Sequence, residues 1–464
     1  MVFSSLIFMF LYLTVVMAVY YLIPRKWRNT FLMIANIVFY GYGEPIYIIL
    51  MMFSITMNYL FGIWIDKRRD KPSTMKLLLI INVILNLGML GFFKYAGFFV
   101  ETLSIIPIFS NLVAPEIALP IGISFYTFQT MSYTIDVYRG DCPSQKDYIA
   151  FATYVCLFPQ LIAGPIVRYV DVADQLVNRR ENFEQFNNGV KLFLVGLAKK
   201  VLLGNQMGAM WTAIKPMEDA GILGSWAGII AFTLQIYFDF SGYSDMARGL
   251  GNMFGFEFLK NFDFPYISKS ITEFWRRWHM SLGTWFREYV YIPLGGNRKG
   301  MARQVLNLFV VWFLTGMWHG ASWNFILWGL YFGVLLVIEK FVLLKLLKKI
   351  PAVFSHIYAL FFIVIGWVIF DFIDLGEMFT FIGNMFSLSN GIISADAKAY
   401  LLSYLPLMIV GILVSTPLPR KIFLKLSSMK YGAVLETVTS ILVIILSVAS
   451  LVSNTYNPFL YFRF

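Results

Sequence analysis

The sequence contains few charged residues for its length. Only 14% of its 464 residues are charged and 59% are hydrophobic, whereas soluble domains carry roughly 25% charged residues. This deficit excludes an ordinary water-soluble protein. It predicts an all-α polytopic protein in which lipid surrounds most of the chain.

Cysteine and histidine are also scarce. Two cysteines, Cys142 and Cys156, and three histidines, His279, His319 and His356, occur in the whole chain. None of them has the spacing of a zinc site or a disulfide framework. The sequence therefore predicts no metal site.

Motifs for bound cofactors are absent as well. We find no Walker loop, dinucleotide-binding fingerprint, HExxH helix or GxSxG elbow, so no bound cofactor is predicted. Lys and Arg outnumber Asp and Glu by 37 to 26, an excess that membrane proteins retain in cytoplasmic loops. Without a nucleic-acid-binding motif, this excess predicts no nucleic-acid partner.

Long uncharged runs, by contrast, are abundant. Runs near the 20 residues that a spanning helix needs cover 2–24, 45–65, 77–93, 117–135, 148–167, 220–238, 304–338, 350–370, 399–419 and 437–462. The first is predicted to be a retained span rather than a signal peptide. The run 304–338 exceeds one span and predicts two helices joined by a tight turn. Gly164-Pro165 interrupts 148–167, which predicts a re-entrant segment.

Basic clusters separate these runs. Placing every cluster in the cytoplasm leaves an even number of spans between successive clusters, as the positive-inside rule requires. This predicts about 11–12 spans with both termini outside. We find no internal repeat and no long linker, so the chain is predicted to be one membrane domain over 1–464, with a motif-bearing core at about 119–340 between N-terminal spans (1–118) and C-terminal spans (350–464).

Polar residues inside apolar runs indicate where chemistry takes place. The first such stretch, 235–245, ends a long run with Asp239 and Asp245, between which lie Ser241, Gly242 and Tyr243. Gly242 is expected to permit a break in the helix there. Two interpretations stay open: a helix end with an aspartate cap, or the polar wall of an active-site cavity.

The second stretch begins at Ser270, which forms a capping-box pattern with Glu273. The spacing predicts one amphipathic helix at the membrane interface with an apolar stripe made of Ile271, Trp275, Trp278, Leu282, Trp285 and Phe286. His279 falls at the edge of this stripe. Membrane anchoring alone would explain the pattern, and a structural role for His279 stays open.

The third stretch places His319 near the middle of 35 uncharged residues, beside Gly316 and Gly320. An imidazole at membrane depth needs a partner or a cavity, and its ordinary pKa near 6.5 suits proton transfer at neutral pH. Two roles stay open for His319: a buried, hydrogen-bonded structural residue, or a general base, whose simplest chemistry is to activate a hydroxyl for attack on a thioester. His356, alone in an ordinary apolar run, is predicted to be structural.

At these residues the sequence resembles the membrane-bound O-acyltransferases, specifically their bacterial alginate O-acetylation branch. The matching stretches are LPIGISFYTFQ (119–129), FPQLIAGPIVR (158–168), YFDFSGYSD (237–245), FWRRWHMSL (274–282) and MWHGASW (317–323). The two histidine stretches, with their histidines 40 positions apart, make the resemblance specific. Beyond about residue 330 the chain matches only as hydrophobic spans.

The resemblance implies helices around a central tunnel, with His319 and His279 as the catalytic histidines. Residues expected to line the tunnel or support the histidines are Trp318, Ser322, Asn324, Asp239, Ser241, Tyr243, Asp245, Gln129 and Pro165. The Gly-rich turn at 291–297, which Arg298 and Lys299 follow, is either a simple basic loop or part of a site for the donor's phosphates. The residues expected to hold the donor are Arg276, Arg277, Asn297 and Arg298.

The family moves an acyl group from a cytoplasmic thioester towards an acceptor outside the membrane. For this chain the resemblance implies acetyl-CoA as donor substrate, an extracytoplasmic polysaccharide as acceptor, and an extracytoplasmic partner protein that completes the transfer. The expected location is the bacterial cytoplasmic membrane. D-alanyl transfer to teichoic acid, another acyl donor and acceptor on the same fold, and a transporter or flippase without chemistry of its own stay as alternatives.

Overall fold

The computed structural model describes residues 2–162, 164–453 and 460. Within these ranges the chain is helical and contains no β-strand, which confirms the all-α prediction. The α-helices are α1 (Leu13–Leu22), α2 (Arg28–Gly41), α3 (Ile48–Asp66), α4 (Pro72–Ser104), α5 (Ile123–Arg139), α6 (Tyr148–Cys156), α7 (Phe158–Leu161), α8 (Tyr169–Asn178), α9 (Phe183–Ala198), α10 (Asn205–Ile214), α11 (Gly221–Met253), α12 (Ile271–Arg277), α13 (Met280–Phe286), α14 (Gly300–His319), α15 (Trp323–Ile338), α16 (Leu344–Leu347), α17 (Ala352–Asp371), α18 (Leu375–Asn384), α19 (Ala395–Val414), α20 (Leu418–Ser427) and α21 (Gly432–Ser453). Wider π-helical turns cover Ile7–Tyr12, Lys199–Gly204, Arg287–Tyr291 and Glu339–Leu343, and 3₁₀ turns cover Arg25–Trp27, Pro107–Phe109, Pro265–Ile267 and Leu388–Asn390.

Among the described residues, six helices are long and apolar enough to cross a membrane: α3, α4, α11, α17, α19 and α21. A shorter apolar helix covers Ile7–Leu22. The prediction of 11–12 spans stays a prediction. The run predicted at 437–462 corresponds to α21 as far as Ser453, and its residues 454–459 and 461–462 lie outside the described residues.

The chain divides into two compact units. The first comprises Met1–Phe193 and Met246–Leu259, and the second comprises Leu194–Asp245 and Lys260–Phe464. The single-domain assignment stays a prediction.

In the first unit, a buried amide network joins α3 and α4. The Asn58 side-chain oxygen accepts hydrogen bonds from the amide groups of Asn82 and Asn86, both at 2.9 Å. The Thr134 hydroxyl on α5 donates to Asn82 at 2.7 Å. Hydrogen bonds of this kind hold membrane helices together, because lipid supplies no competing partner.

The segment predicted to be re-entrant also lies in the first unit. It forms two short helices, α6 and α7, and the break falls at Leu157, whose extended ψ of 109° precedes the Phe158-Pro159 pair. Residues 150–162 are buried. Protein therefore covers this irregular backbone, as a broken segment at membrane depth requires.

In the second unit, the run 304–338 forms two helices, α14 and α15, joined by the short turn 320–322, as predicted. A Cβ atom added to Gly316 would collide with the Phe325 carbonyl oxygen, and one added to Gly329 would collide with the Trp312 carbonyl oxygen. The small residues therefore let the two helix backbones touch. This crossing fixes the position of His319, the last residue of α14.

Candidate active site

His319 is buried at the end of α14, where Gly320 turns the chain out of the helix with φ of −170°. Its ring packs edge-on against three aromatic rings: those of Trp318, Trp328 and Phe370, with centroid distances of 5.1, 4.9 and 5.3 Å. These contacts hold the imidazole plane in one orientation.

Two cavities meet at His319. The larger has a volume of about 200 Å³. Its walls are Trp275, Trp278, His279, Leu282, Gly283, Phe286, Arg287, Tyr291, Leu308, Val311, Trp312, Thr315 and His319. The smaller, of about 10 Å³, is lined by Ile236, Asp239, Phe240, Trp278, His319, Trp328, Trp367, Phe370 and Leu460. Two residues, Trp278 and His319, line both cavities. Of these two, only His319 has a side chain that can accept and release a proton.

The larger cavity extends along α14. Its α14 wall runs from Leu308 to His319, which is about 16 Å at 1.5 Å per residue. Arg287 and Tyr291 lie among the residues that line it. This length suits an extended, unbranched chain.

His279 lines the same larger cavity from a strained backbone position. Its φ of 44° is left-handed, which costs a residue with a Cβ atom about 1–2 kcal/mol. The predicted single amphipathic helix is therefore wrong in one respect, because the chain forms α12 and α13 with a break at Trp278 and His279. The break lets the His279 side chain enter the cavity.

The His279 ring contacts Phe240 at a centroid distance of 4.7 Å and Trp318 at 5.7 Å. Trp318 thus touches both histidines. In the part of the chain that the structure describes, neither His279 ring nitrogen has a hydrogen-bond partner in another residue. His279 lies outside the candidate membrane-spanning helices. Burial lowers the pKa of its imidazole to about 3, so the ring is neutral at pH 7.

The capping prediction for α12 is confirmed, since the Ser270 hydroxyl accepts a hydrogen bond from the Glu273 amide at 3.0 Å. A second carboxylate, which the sequence analysis missed, binds the same helix end. The fully buried Glu339 accepts hydrogen bonds from the Ile271 amide at 2.5 Å and from the Thr272 amide at 2.8 Å. A carboxylate at a helix N-terminus satisfies otherwise unpaired amides, so Glu339 anchors the segment that leads to His279.

The two predicted carboxylates of the polar wall lie on one unbroken helix. The expected break near Gly242 is wrong, because α11 continues to Met253. Gly242 serves packing instead: a Cβ atom there would lie 2.7 Å from the Gly196 carbonyl oxygen and 3.0 Å from the Lys200 amide nitrogen.

Each of these carboxylates pairs with a lysine. Asp239 is 2.6 Å from Lys200, with both side chains almost fully buried, and it accepts a hydrogen bond from the Leu460 amide at 2.9 Å. Asp245 is half-buried and 2.6 Å from Lys199. Asp239 lines the smaller cavity with His319, whereas Asp245 lines neither cavity. The lysine partners were not predicted, although the pair Lys199-Lys200 next to apolar residues is a usable sequence signal.

The remaining predicted residues occupy several places. Ser241 and Tyr243 are buried on α11, and Ser322 is the N-cap residue of α15. The Asn324 amide donates to the Phe370 carbonyl oxygen at 2.9 Å and so ties α15 to the end of α17. Gln129 and Pro165 are buried in the first unit.

The four predicted donor-binding residues line neither cavity. Arg276, Asn297 and Arg298 are exposed. Arg277 pairs with Glu273 at 2.9 Å and with Asp263 at 3.3 Å. Arg287, which the sequence analysis did not select, lines the larger cavity. In the described ranges, no group of three His, Cys, Asp or Glu residues is arranged to hold a metal ion.

Comparison with known proteins decides the family. The model of the membrane-bound O-acyltransferase family matches residues 141–373, which include both His279 and His319. This chain belongs to that family. It is therefore an O-acyltransferase and a multi-pass membrane protein.

Individual relatives agree with this assignment. A protein named "Probable alginate O-acetylase AlgI" from Pseudomonas putida is 38% identical over the full length of both chains. A peptidoglycan O-acetyltransferase from Helicobacter pylori is 30% identical over 86% of this chain and 83% of its own. A teichoic acid D-alanyltransferase from Bacillus subtilis is 28% identical over 51% of this chain and 66% of its own.

The anchoring role of Glu339 predicts that substitutions at this position lower the stability of the protein in a definite order. Glu339→Ala leaves buried amides without an acceptor and is expected to lower the free energy of unfolding by about 1–3 kcal/mol. Glu339→Gln, which keeps one acceptor oxygen, should fall between this variant and the wild type. Thermal unfolding of the purified protein in detergent measures the order. The exposed Glu377, also in the first turn of a helix, supplies the control Glu377→Ala, and equal stability of the two alanine variants would contradict the anchoring role.

Proposed function

We propose that this enzyme moves an acetyl group from acetyl-CoA, bound on the cytoplasmic side, across the membrane for O-acetylation of an extracytoplasmic polysaccharide, with His319 as general base. The observation that carries the proposal is the position of His319, which lines both the long cavity and the small cavity. A group at such a junction can contact a donor and an acceptor that arrive from different sides.

Charge distribution supports this orientation. The basic stretch 276–303 leads into the first turn of α14, and the basic stretch 340–349 precedes α17. The segment 372–394 after α17 has no Lys or Arg, and it carries Asp374 and Glu377. By the positive-inside rule the starts of α14 and α17 face the cytoplasm. The long cavity then extends inward from the cytoplasmic side and ends at His319.

The shape of the long cavity supports a thioester donor. A donor whose acyl thioester sits at the end of an extended, unbranched arm fits a channel about 16 Å long, while the donor's bulky head group stays outside. Coenzyme A and a carrier protein both present an acyl thioester on such an arm. Acetyl-CoA is the favoured donor, because the O-acetylating relatives match far more of this chain than the D-alanylating one does.

The residues around the junction suit acyl transfer. As the acceptor oxygen attacks the thioester carbonyl carbon, the imidazole of His319 accepts the hydroxyl proton and a tetrahedral intermediate forms. The carbon–sulfur bond then breaks, and the imidazolium returns the proton to the departing thiolate. Proton transfer of this kind contributes a factor of about 10²–10⁴ to the rate. His279, neutral and within the donor cavity, is placed to donate a hydrogen bond to the thioester.

The acceptor hydroxyl has to reach the thioester carbonyl at His319 from outside the donor channel. The relatives' names point to a polysaccharide as acceptor, and an extracytoplasmic partner protein would carry the acetyl group onward to it. A bacterial cytoplasmic membrane provides both the cytoplasmic donor and the outside polymer.

The general-base role predicts a specific loss of activity. His319→Ala should lower acetyl transfer by about 10²–10⁴-fold while the protein still reaches the membrane in normal amounts. His356→Ala is the matched control, because the His356 ring contacts the Ser268 carbonyl oxygen at 3.1 Å and lines neither cavity. Transfer of radiolabelled acetyl groups from acetyl-CoA in membrane vesicles measures both variants. Full activity of His319→Ala would remove this residue from the mechanism.

The donor channel predicts a second, independent effect. Gly283 lines the long cavity on α13, and a Cβ atom there would meet no described atom within 4 Å. Gly283→Leu should therefore fill the channel and lower kcat/KM for acetyl-CoA by about tenfold or more, because the arm is misplaced. Gly383, on α18, also has open space around an added Cβ atom and supplies the control Gly383→Leu. A channel that carries no donor would leave the two variants equally active.

Supplying acetyl-CoA, D-alanyl carrier protein and palmitoyl-CoA in turn tests the donor itself. Preferential transfer from acetyl-CoA supports the proposal. Preferential transfer from the D-alanyl carrier would assign the chain to teichoic acid modification, and substrate movement that survives loss of both histidines would indicate a transporter.

A further inference from the structure

The cavity beyond His319 is very small. Its volume of about 10 Å³ is close to the minimum that holds one water molecule. It is lined by Ile236, Asp239 and Phe240 of α11, by His319 and Leu460, and by an aromatic collar, defined here as Trp278, Trp328, Trp367 and Phe370.

The aromatic collar is held by its own packing. Trp367 contacts Trp278 at a centroid distance of 4.9 Å and Phe370 at 5.7 Å. Trp328 contacts Phe370 at 5.4 Å. Because each ring is blocked by another, widening the cavity on this side requires several rings to move together.

The α11 side of the cavity is fixed as well. The Asp239 carboxylate is held by Lys200 and by the Leu460 amide. Ile236, one turn earlier, is buried with 6% of its surface exposed. A substitution of Ile236 therefore changes this wall without removing an ion pair or an aromatic ring contact.

The geometry of a thioester decides what enters this cavity. The carbonyl carbon carries the sulfur on one side and the acyl chain on the other. With the donor arm in the long cavity and the carbonyl group at His319, the acyl chain points away from the arm, towards the small cavity. The available space then matches a methyl group, and a longer chain would meet Ile236 or the aromatic collar.

We propose that Ile236, which lines this cavity together with the aromatic collar, limits the acyl group to the size of acetyl and is thus a specificity-determining residue. This inference rests on the proposed acyl transfer at His319. A single extra methylene group in a fitted apolar pocket changes selectivity by about 10–200-fold. The wild-type enzyme should therefore prefer acetyl over propionyl and butyryl donors by at least about tenfold.

The test compares initial transfer rates from acetyl-, propionyl- and butyryl-CoA in vesicles. Ile236→Ala removes three side-chain carbons from the wall and should reduce the acetyl-over-propionyl ratio by about tenfold or more. Ile236→Val, which removes one carbon, should reduce the ratio by a smaller factor. Ile229→Ala is the matched control: Ile229 lies on the same helix, is fully buried and does not line the cavity, so its ratio should stay at the wild-type value.

The outcomes separate this inference from the proposed function. A wild-type enzyme that transfers no acyl group from any of the three donors contradicts the proposed function. Acetyl transfer whose donor ratio is unchanged in both Ile236 variants overturns the inference alone. An equal change in Ile229→Ala also overturns it, because general loosening of α11 would then explain the effect. If Ile236→Ala fails to accumulate, the ratio in Ile236→Val decides.

Discussion

The position of one imidazole depends on how closely α14 and α15 cross. Gly316 and Gly329 bring the two backbones into contact, and this crossing places His319 and Trp328 side by side at the point where the two cavities meet. Dispersion contacts among densely packed rings are individually weak and collectively large. Because the two backbones already touch at Gly316 and Gly329, a larger residue at either position would separate the helices and change the geometry of the junction.

Buried charges support this arrangement from outside the cavities. Lys200 neutralises Asp239 beside the small cavity, and Glu339 holds the start of α12, which leads to His279. Removing one partner of such a pair leaves a charge or an amide unsatisfied in a low-dielectric surrounding, which costs several kcal/mol for a charge. These polar groups thus fix two walls of the site in place, while the histidines face the cavities.

The sequence predicted the features that depend on local pattern. Uncharged runs predicted the all-α class, the 304–338 run predicted two helices, and Ser270 with Glu273 predicted a helix start. Features that depend on distant contacts escaped prediction. Gly242 was expected to break a helix, yet it stays helical because α9 and its following turn pack against it. Nor does any local pattern reveal that His279 adopts a left-handed φ, that Glu339 caps α12 from 68 positions away, or that Arg287 rather than Arg276 lines the channel.

The central claim is that His319 stands where a donor channel ends and a small acyl cavity begins. A cryo-electron microscopy map of the protein with a non-reactive thioether analogue of acetyl-CoA tests this claim directly. The account predicts density for the arm along α14 from Leu308 to His319, with the acetyl-like end between Ile236 and the aromatic collar. Density for the arm elsewhere on the protein, with both cavities unchanged and empty, would contradict it.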